Sequence, residues 1–271
     1  MIPISAKEFS QLANLIKSNF GVNLGEEKKS LLVGRLHSVL AQKNFTSFSE
    51  YYDYVVSDKS GDAIVTLIDK LTTNHTYFMR ETDHFHYFRD RVLPYLEKVE
   101  ISKDLRIWSA GCSTGEEPYT LAMIMADYFG SSKVSWETKI LATDISTKVL
   151  ESATKGIYLN EQIAPLPVNW QQKYLKKIDS EKNMMVDKIK NEIIFRVFNL
   201  MKPVFPFKKR FQVIFCRNVM IYFDAATKRD LVNKFYEHME PGGYLFIGHS
   251  ESLNREETHY RYIQPSVYRK E

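Results

Sequence analysis

The sequence predicts an α/β fold preceded by a smaller all-helical region, and three observations carry that prediction. An apolar run at 105–110 leads into a glycine-bearing turn, Gly111 to Gly115, and an apolar helix follows at about 118–128. Farther along, short apolar runs alternate with stretches of helical periodicity. Ahead of them, residues 1–72 show helical periodicity and no convincing strand. Strand, tight glycine turn and helix start is how α/β proteins hold a ligand at a helix N-terminus. Strands alternating with helices indicate a parallel sheet covered on both faces.

The helical region reads in order. Ser5 and Glu8 form a capping-box pattern opening an amphipathic run through Phe20, with Phe9, Leu12, Leu15 and Ile16 on one face. Gly21 ends it. A second helix is expected over 26–42, with Leu31, Leu32, Leu36, Val39 and Leu40 on its stripe. Ser47 and Glu50 cap a third over 51–56, and a fourth runs over 62–71. Four short helices with short links make a small bundle. Residues 73–98 are expected to be a linker, a long aromatic helix ending near Pro94.

The α/β domain then occupies 99–271. Strands are expected at 105–110, 139–143, 193–198, 212–216 and 243–248, with helices near 118–129, 146–153 and 225–239. The tail, 260–269, offers an edge strand. Residues from about 160 to 192 are irregular and polar. They read as a small subdomain excursion, a hairpin with one strand near 184–189.

Bulk properties narrow the function classes. Hydrophobic residues at 44% supply a core, and 26% charged residues give an ordinary polar surface. The net charge of +4 permits an acidic partner and is too weak to argue for nucleic acid. Cys112 and Cys216 lie far apart with no CxxC, so both read as reduced, buried thiols. The start of the chain lacks a signal-peptide pattern, and no apolar run is long enough for a bilayer span. A cytoplasmic protein without membrane insertion is expected.

Three constellations could carry chemistry. Gly111-Cys-Ser-Thr-Gly115 fits G-x-S-x-G, which would make Ser113 a hydrolase nucleophile and His249 its base. The two acids that follow, Glu116 and Glu117, would oppose an oxyanion, and no HGGG-type segment lies upstream. The alternative is a cofactor turn. Asp144, at the end of the second strand, is placed to accept ribose hydroxyls; it also precedes a helix with Ser146 and reads as an N-cap, and the two roles are compatible. The full dinucleotide glycine spacing is absent. S-adenosylmethionine carries no phosphate and bears a sulfonium cation, so acids near the turn suit it better than NAD.

The second constellation is Asn74, Thr76 and Arg80, polar residues at the start of a helix. His75, Asp83, His84 and His86 lie beside them, but His-x-His on a helix points the rings to different faces, so no metal site is expected. The third is Arg217, Asn218 and Tyr222, after a strand that ends at Cys216, on the sheet edge where α/β proteins bind ligands. Separately, Lys28, Lys29, Arg35 and Lys43 mark the second helix. They read either as a solvated face or as a docking surface for an acidic partner.

Taken together, these segments resemble the chemotaxis receptor methyltransferases, the CheR family. The residues that carry the resemblance are Leu71-Thr-Thr-Asn-x-Thr-x-Phe-x-Arg-Glu81, Trp108-Ser-Ala-Gly-x-Ser-Thr-Gly-Glu-Glu-Pro-Tyr119, Ala142-Thr-Asp-Ile145, Phe215-Cys-Arg-Asn-Val-Met-Ile-Tyr-Phe223 and Gly248-His-Ser-Glu251. The resemblance implies a helical N-terminal receptor-docking domain on a Rossmann-like methyltransferase domain. It implies methyl transfer from S-adenosylmethionine to receptor glutamates, leaving S-adenosylhomocysteine and a glutamate methyl ester. A serine hydrolase using Ser113, or a non-catalytic adaptor that binds S-adenosylmethionine, are the competing readings.

Carried over by position, Asn74, Thr76 and Arg80 would contact the methionine end of the cofactor, with Arg80 pairing its carboxylate. Glu116 would face its cationic end and Asp144 its ribose. Gly111 would shape the turn, Asn199 and Leu200 would line the adenine pocket, and Arg217 and Asn218 would contact cofactor. Tyr222 would sit near the transferred methyl. Arg80, Arg217 and Tyr222 are the candidates to orient the acceptor carboxylate. The partner implied is the cytoplasmic helical bundle of chemoreceptors, and a monomer is expected. Some family members bind a pentapeptide at a receptor C-terminus through a glycine-bearing subdomain. The matching stretch here, 174–192, has no glycine. A receptor C-terminal pentapeptide should therefore not bind, and micromolar affinity in calorimetry would overturn this.

Overall fold

The structure is a computed structural model that describes residues 2–71 and 74–271. Thr72 and Thr73, which belong to one of the motifs above and mark the expected domain boundary, lie outside the described residues. The chain forms two compact units. One comprises Met1–Thr73, Asn199–Met201 and Tyr222–Lys228; the other holds Asn74–Phe198, Lys202–Ile221 and Arg229–Glu271.

The first unit contains helices α1 (Ala6–Phe20), α2 (Lys29–Gln42), α3 (Phe48–Ser57) and α4 (Asp62–Leu71). The capping box at the start of α1 is complete. The Glu8 amide donates to Ser5 Oγ, and the Ser5 amide donates to the Glu8 carboxylate. Glu8 also accepts from the Ser49 amide and hydroxyl at 2.9 and 3.0 Å, so one carboxylate ties α1 to α3. Ser47 caps α3, but Glu50 turns back to Thr46 instead of closing a box. The second helix begins later than expected, after a 3₁₀ turn over Glu26–Lys28. Leu31 leaves the expected stripe and stands 43% exposed, while Leu32, Leu36, Val39 and Leu40 are buried.

The second unit opens differently from the expected single linker helix. Residues 74–81 form a loop and turn; helix α5 (Thr82–Tyr87) follows, then a π-helical turn over Phe88–Val92, then α6 (Leu93–Val99). Met79 and Glu81 both take left-handed backbone conformations, φ 62° and 54°, which no regular helix includes. Pro94 does not end the helix. It sits at the start of α6, directly after the wider π turn, where the amide it lacks is not missed.

The remaining elements are β1 (Ile107–Ala110), α7 (Glu116–Phe129), β2 (Ile140–Asp144), α8 (Thr147–Lys155), β3 (Ile157–Leu159), α9 (Asn160–Ile163), α10 (Val168–Tyr174), β4 (Leu175–Lys177), β5 (Lys182–Met185), α11 (Asp187–Lys190), β6 (Ile193–Val197), β7 (Phe211–Cys216), α12 (Ala225–Glu237), β8 (Met239–Ile247), β9 (Arg261–Gln264) and β10 (Val267–Arg269). The main sheet has the order β6-β2-β1-β7-β8-β10-β9. Its first five strands are parallel, and the last two join antiparallel. The sheet is thus mixed, and the tail supplies a hairpin where one edge strand was expected. Every residue of β1 and β7 is buried, as central parallel strands covered on both faces require.

The subdomain excursion starts earlier than expected, at Ile157, and is a three-stranded antiparallel sheet in the order β3-β5-β4. Its middle strand ends at Met185, and residues expected to continue it form α11. Asp127 on α7 moors the excursion, accepting from Trp170 Nε1, Lys173 Nζ and the Tyr174 hydroxyl.

Trp108 anchors the core of this unit. Its Nε1 donates to Thr143 Oγ1 at 2.9 Å, and Phe198, Phe205, Phe207, Phe211 and Phe235 surround its ring at 4.9–5.8 Å. Trp136 stacks on Phe129 at 4.8 Å. Both cysteines are free and buried, and burial pushes both thiols up. Among the described residues no helix is long and apolar enough to cross a membrane.

Gly111 shows how tightly the turn after β1 is built. Its φ is +85°, and a Cβ there would lie 2.4 Å from Val219 Cγ2. Gly111→Ala should destabilise the α/β unit by about 2 kcal/mol, combining a left-handed alanine with a side-chain clash. Adding Val219→Ala should remove only the clash, so thermal melting of the double variant should recover part of the loss.

Candidate active site

The glycine turn places its side chains by backbone bonds first. The Gly111 and Cys112 amides both donate to the Thr143 carbonyl at the end of β2. The Ser113 amide donates to Asp144 Oδ2 at 2.9 Å, and the Ser146 amide to Asp144 Oδ1 at 3.0 Å. Asp144 therefore stands partly exposed at the carboxyl end of β2, aimed by the turn beside it. The cap of α8 is Ser146, whose Oγ accepts from Val149, so Asp144 does not serve as that cap.

Ser113 Oγ donates to the Asn74 carbonyl at 3.0 Å, tying the 74–81 segment to the glycine turn. This occupies the hydroxyl that a hydrolase would use. His249 lies elsewhere, its ring against Asp83 at 3.1 Å and edge-on to His84 at 4.6 Å. Thr76 is partly exposed on the same segment. Arg80 donates from Nη1 to the His75 carbonyl at 2.8 Å.

Helix α7 starts at Glu116, two residues earlier than expected, so both acids fall in its first turn, where the helix dipole favours them. Their environments differ. Glu116 is 1% exposed and accepts from Thr114 Oγ1 at 2.7 Å, and burial pushes its carboxyl up. A cation placed beside such a group would oppose that shift and favour the charged form. Glu117 already has a cation, the chain's own Arg217, whose Nη1 donates to it at 3.0 Å; its other oxygen accepts from Ser109 at 2.6 Å.

Arg217 follows β7 and is buried. Besides Glu117 it bonds Glu81 through Nε and Nη2, at 3.2 and 3.1 Å, and donates to the Arg80 carbonyl. Asn218, with φ 59°, donates from Nδ2 to Glu81. Glu251 accepts from the Asn218, Ile221 and Gly248 amides at 3.0, 3.0 and 2.5 Å, and burial raises its carboxyl. Glu81, Glu117 and Glu251 stand inside the motifs above, where no pairing was expected of them. Arg217 lies 136 and 100 positions from Glu81 and Glu117, so no local pattern signals these pairs.

The expected site residues divide between the two units. Asn74, Thr76, Arg80, Gly111, Glu116, Asp144, Arg217 and Asn218 belong to the α/β unit; Asn199, Leu200 and Tyr222 cluster with the helical unit. There, Asn199 Nδ2 donates to the Asn19 carbonyl at 2.7 Å, Leu200 is buried, and the Tyr222 carbonyl accepts from Asn23 at 2.8 Å. Of the four basic residues expected on the second helix, Lys28 falls in the preceding 3₁₀ turn and Lys43 just past the helix end, while Arg35 donates to the Lys70 and Leu71 carbonyls at the end of α4. Lys43 is exposed with its ammonium 4.7 Å from the Tyr54 ring, and Lys28 and Lys29 are partly exposed.

Where no metal site was expected, Glu81, His84 and His249 bring ligand atoms within 4.8 Å of one another. Arg217 already neutralises Glu81, and burial lowers the His84 pKa to about 4, leaving the ring neutral at physiological pH.

The donor set fits S-adenosylmethionine. Carboxylates at Asp144 and Glu116 answer hydroxyls and a cation, and the turn at Gly111 to Gly115 supplies no basic side chain for a phosphate. Comparison with known proteins agrees. Residues 74–269 match the family described as CheR methyltransferase, SAM binding domain, and residues 7–72 match CheR methyltransferase, all-alpha domain. The chain is 44% identical to a chemotaxis protein methyltransferase of Borreliella burgdorferi, over 99% of this chain and 96% of that one. It is 33% identical to the Escherichia coli chemotaxis protein methyltransferase, over 98% and 92%, and 35% identical to a probable one of Rhizobium etli, over 94% and 100%. With a carboxylate-lined turn in place of a phosphate loop, and with family matches along nearly its whole length, the chain belongs to the CheR family of S-adenosylmethionine-dependent methyltransferases.

Proposed function

We propose that this chain methylates glutamate side chains on the cytoplasmic helical bundle of chemoreceptors, acting as a cytoplasmic monomer. The observation that carries the reading is the pair of acids, Glu116 and Asp144, held at the carboxyl ends of adjacent parallel strands in a chain of this family. When bound, S-adenosylmethionine supplies an electrophilic methyl group on a positively charged sulfur. Asp144 would hold the ribose hydroxyls, Glu116 would face the cationic end, and Arg80 would pair the methionine carboxylate, with Asn74, Thr76, Gly111 and Asn218 completing the α/β unit's share. Asn199, Leu200 and Tyr222 keep the roles the family likeness assigns, adenine contact and proximity to the methyl.

The acceptor needs no general base. A glutamate carboxyl has a reference pKa of about 4.3 and is ionised at neutral pH. The chain's task is alignment of oxygen, methyl and sulfur, and exclusion of water while opposite charges cancel. The docking reading assigns Lys28, Lys29 and Lys43 to an acidic receptor face. Arg35 contributes less to it, since its guanidinium caps α4. The glycine-free subdomain supports the pentapeptide-independent mode.

Labelled methyl groups from S-adenosylmethionine should pass to receptor-bearing membranes and leave as methanol under mild base. Label that survives base, or none transferred, would refute the reading. Lys28→Glu with Lys29→Glu should raise KM for receptor by about fivefold and leave S-adenosylhomocysteine affinity unchanged; an unmoved KM counts against the docking face.

A further inference from the structure

Arg217 does not stand ready for a ligand. Of the five N–H groups of a guanidinium, four are spoken for: Nε and one Nη2 hydrogen on Glu81, the other Nη2 hydrogen on the Arg80 carbonyl, and one Nη1 hydrogen on Glu117. The Phe85 ring lies 5.1 Å beneath the guanidinium, and the side chain is 3% exposed. An arginine so enclosed has little left with which to orient an incoming carboxylate.

What it does hold is the backbone of the loop before α5. Arg80 lies between two non-glycine residues in left-handed conformations, Met79 and Glu81. Such conformations persist only where the surroundings over-determine them. Here the surroundings are specific. The Arg80 carbonyl accepts from Arg217, and the Glu81 carboxylate is gripped by Arg217, by Asn218 Nδ2 at 3.2 Å and by the His249 amide at 3.1 Å. Arg217 is fixed in turn by Glu117, which Ser109 on β1 anchors. A chain of charged hydrogen bonds therefore runs from the central sheet and the first turn of α7 to the peptide unit that carries the Arg80 side chain.

We propose that Glu81 and Glu117 are positioning residues, which act through the buried Arg217 to set the backbone of Arg80 and so aim its guanidinium for the cofactor. The proposal rests on the reading of Arg80 as a cofactor-binding residue. It moves Arg217 from the reacting groups to the frame that holds them.

The test is a double-mutant cycle read by calorimetry with S-adenosylhomocysteine, which retains the amino-acid end that Arg80 would pair. Glu117→Gln should weaken binding by about tenfold in the parent chain and by under about twofold when Arg80 is already alanine. Arg217→Lys keeps the charge but loses the fork, and it should show the same non-additivity. Glu81→Gln serves in place of either variant that urea melting shows to be unfolded. Equal losses in both backgrounds would overturn the positioning role while leaving the cofactor role of Arg80 intact. An Arg80→Ala chain that binds as tightly as the parent would overturn the cofactor role, and the proposal with it.

Discussion

A guanidinium buried between two carboxylates is the constraint on which the α/β unit's ligand end depends. Removing ions from water costs several kcal/mol each even after relaxation, and attraction offsets this only where geometry and further hydrogen bonds are good. Around Arg217 they are. Glu81 and Glu117 supply the charge, Asn218, Ser109 and the His249 amide supply the remaining bonds, and Phe85 closes the underside. Loss of one member would strand an uncompensated charge, so the loop before α5, the first turn of α7 and the end of β7 hold together or loosen together. Glu251 does the same for the next loop with backbone amides alone.

The same economy separates the two adjacent acids of α7. They share one dipole and one sequence motif, yet one is bound to an internal cation and the other is buried without one. The first is bound into the network around Arg217, and the second accepts from Thr114. Sequence position alone could not separate these roles, because the difference lies in which way each side chain faces from the helix's first turn.

Much of the architecture was legible because its signals are local. β1 and β7 are mostly apolar runs, interrupted by Ser109 and Gln212 alone, and Ser5 with Glu8 forms the box that the spacing promised. Asp144 was placed at a strand end by the run before it. The misreadings have physical causes. Residues 74–81 carry helix-compatible side chains, and nothing in composition announces left-handed Met79 and Glu81. The strand Lys182–Met185 is short and half-exposed, and no glycine or proline separates it from the stretch that folds as α11. Arg217 finds Glu81 and Glu117 across 136 and 100 positions of chain, and charge pairing at that separation leaves no periodicity to read.

The core around Trp108 has a spectroscopic corollary. The chain has three tryptophans, at 108, 136 and 170, all buried and all within the α/β unit. The helical unit contributes tyrosine and phenylalanine only. Intrinsic indole emission is thus a private reporter of the cofactor-binding half. Its loss on denaturation would chart that half, while circular dichroism at helical wavelengths would register both. Disagreement between the two signals would measure how independently the halves unfold, without a label or an engineered probe.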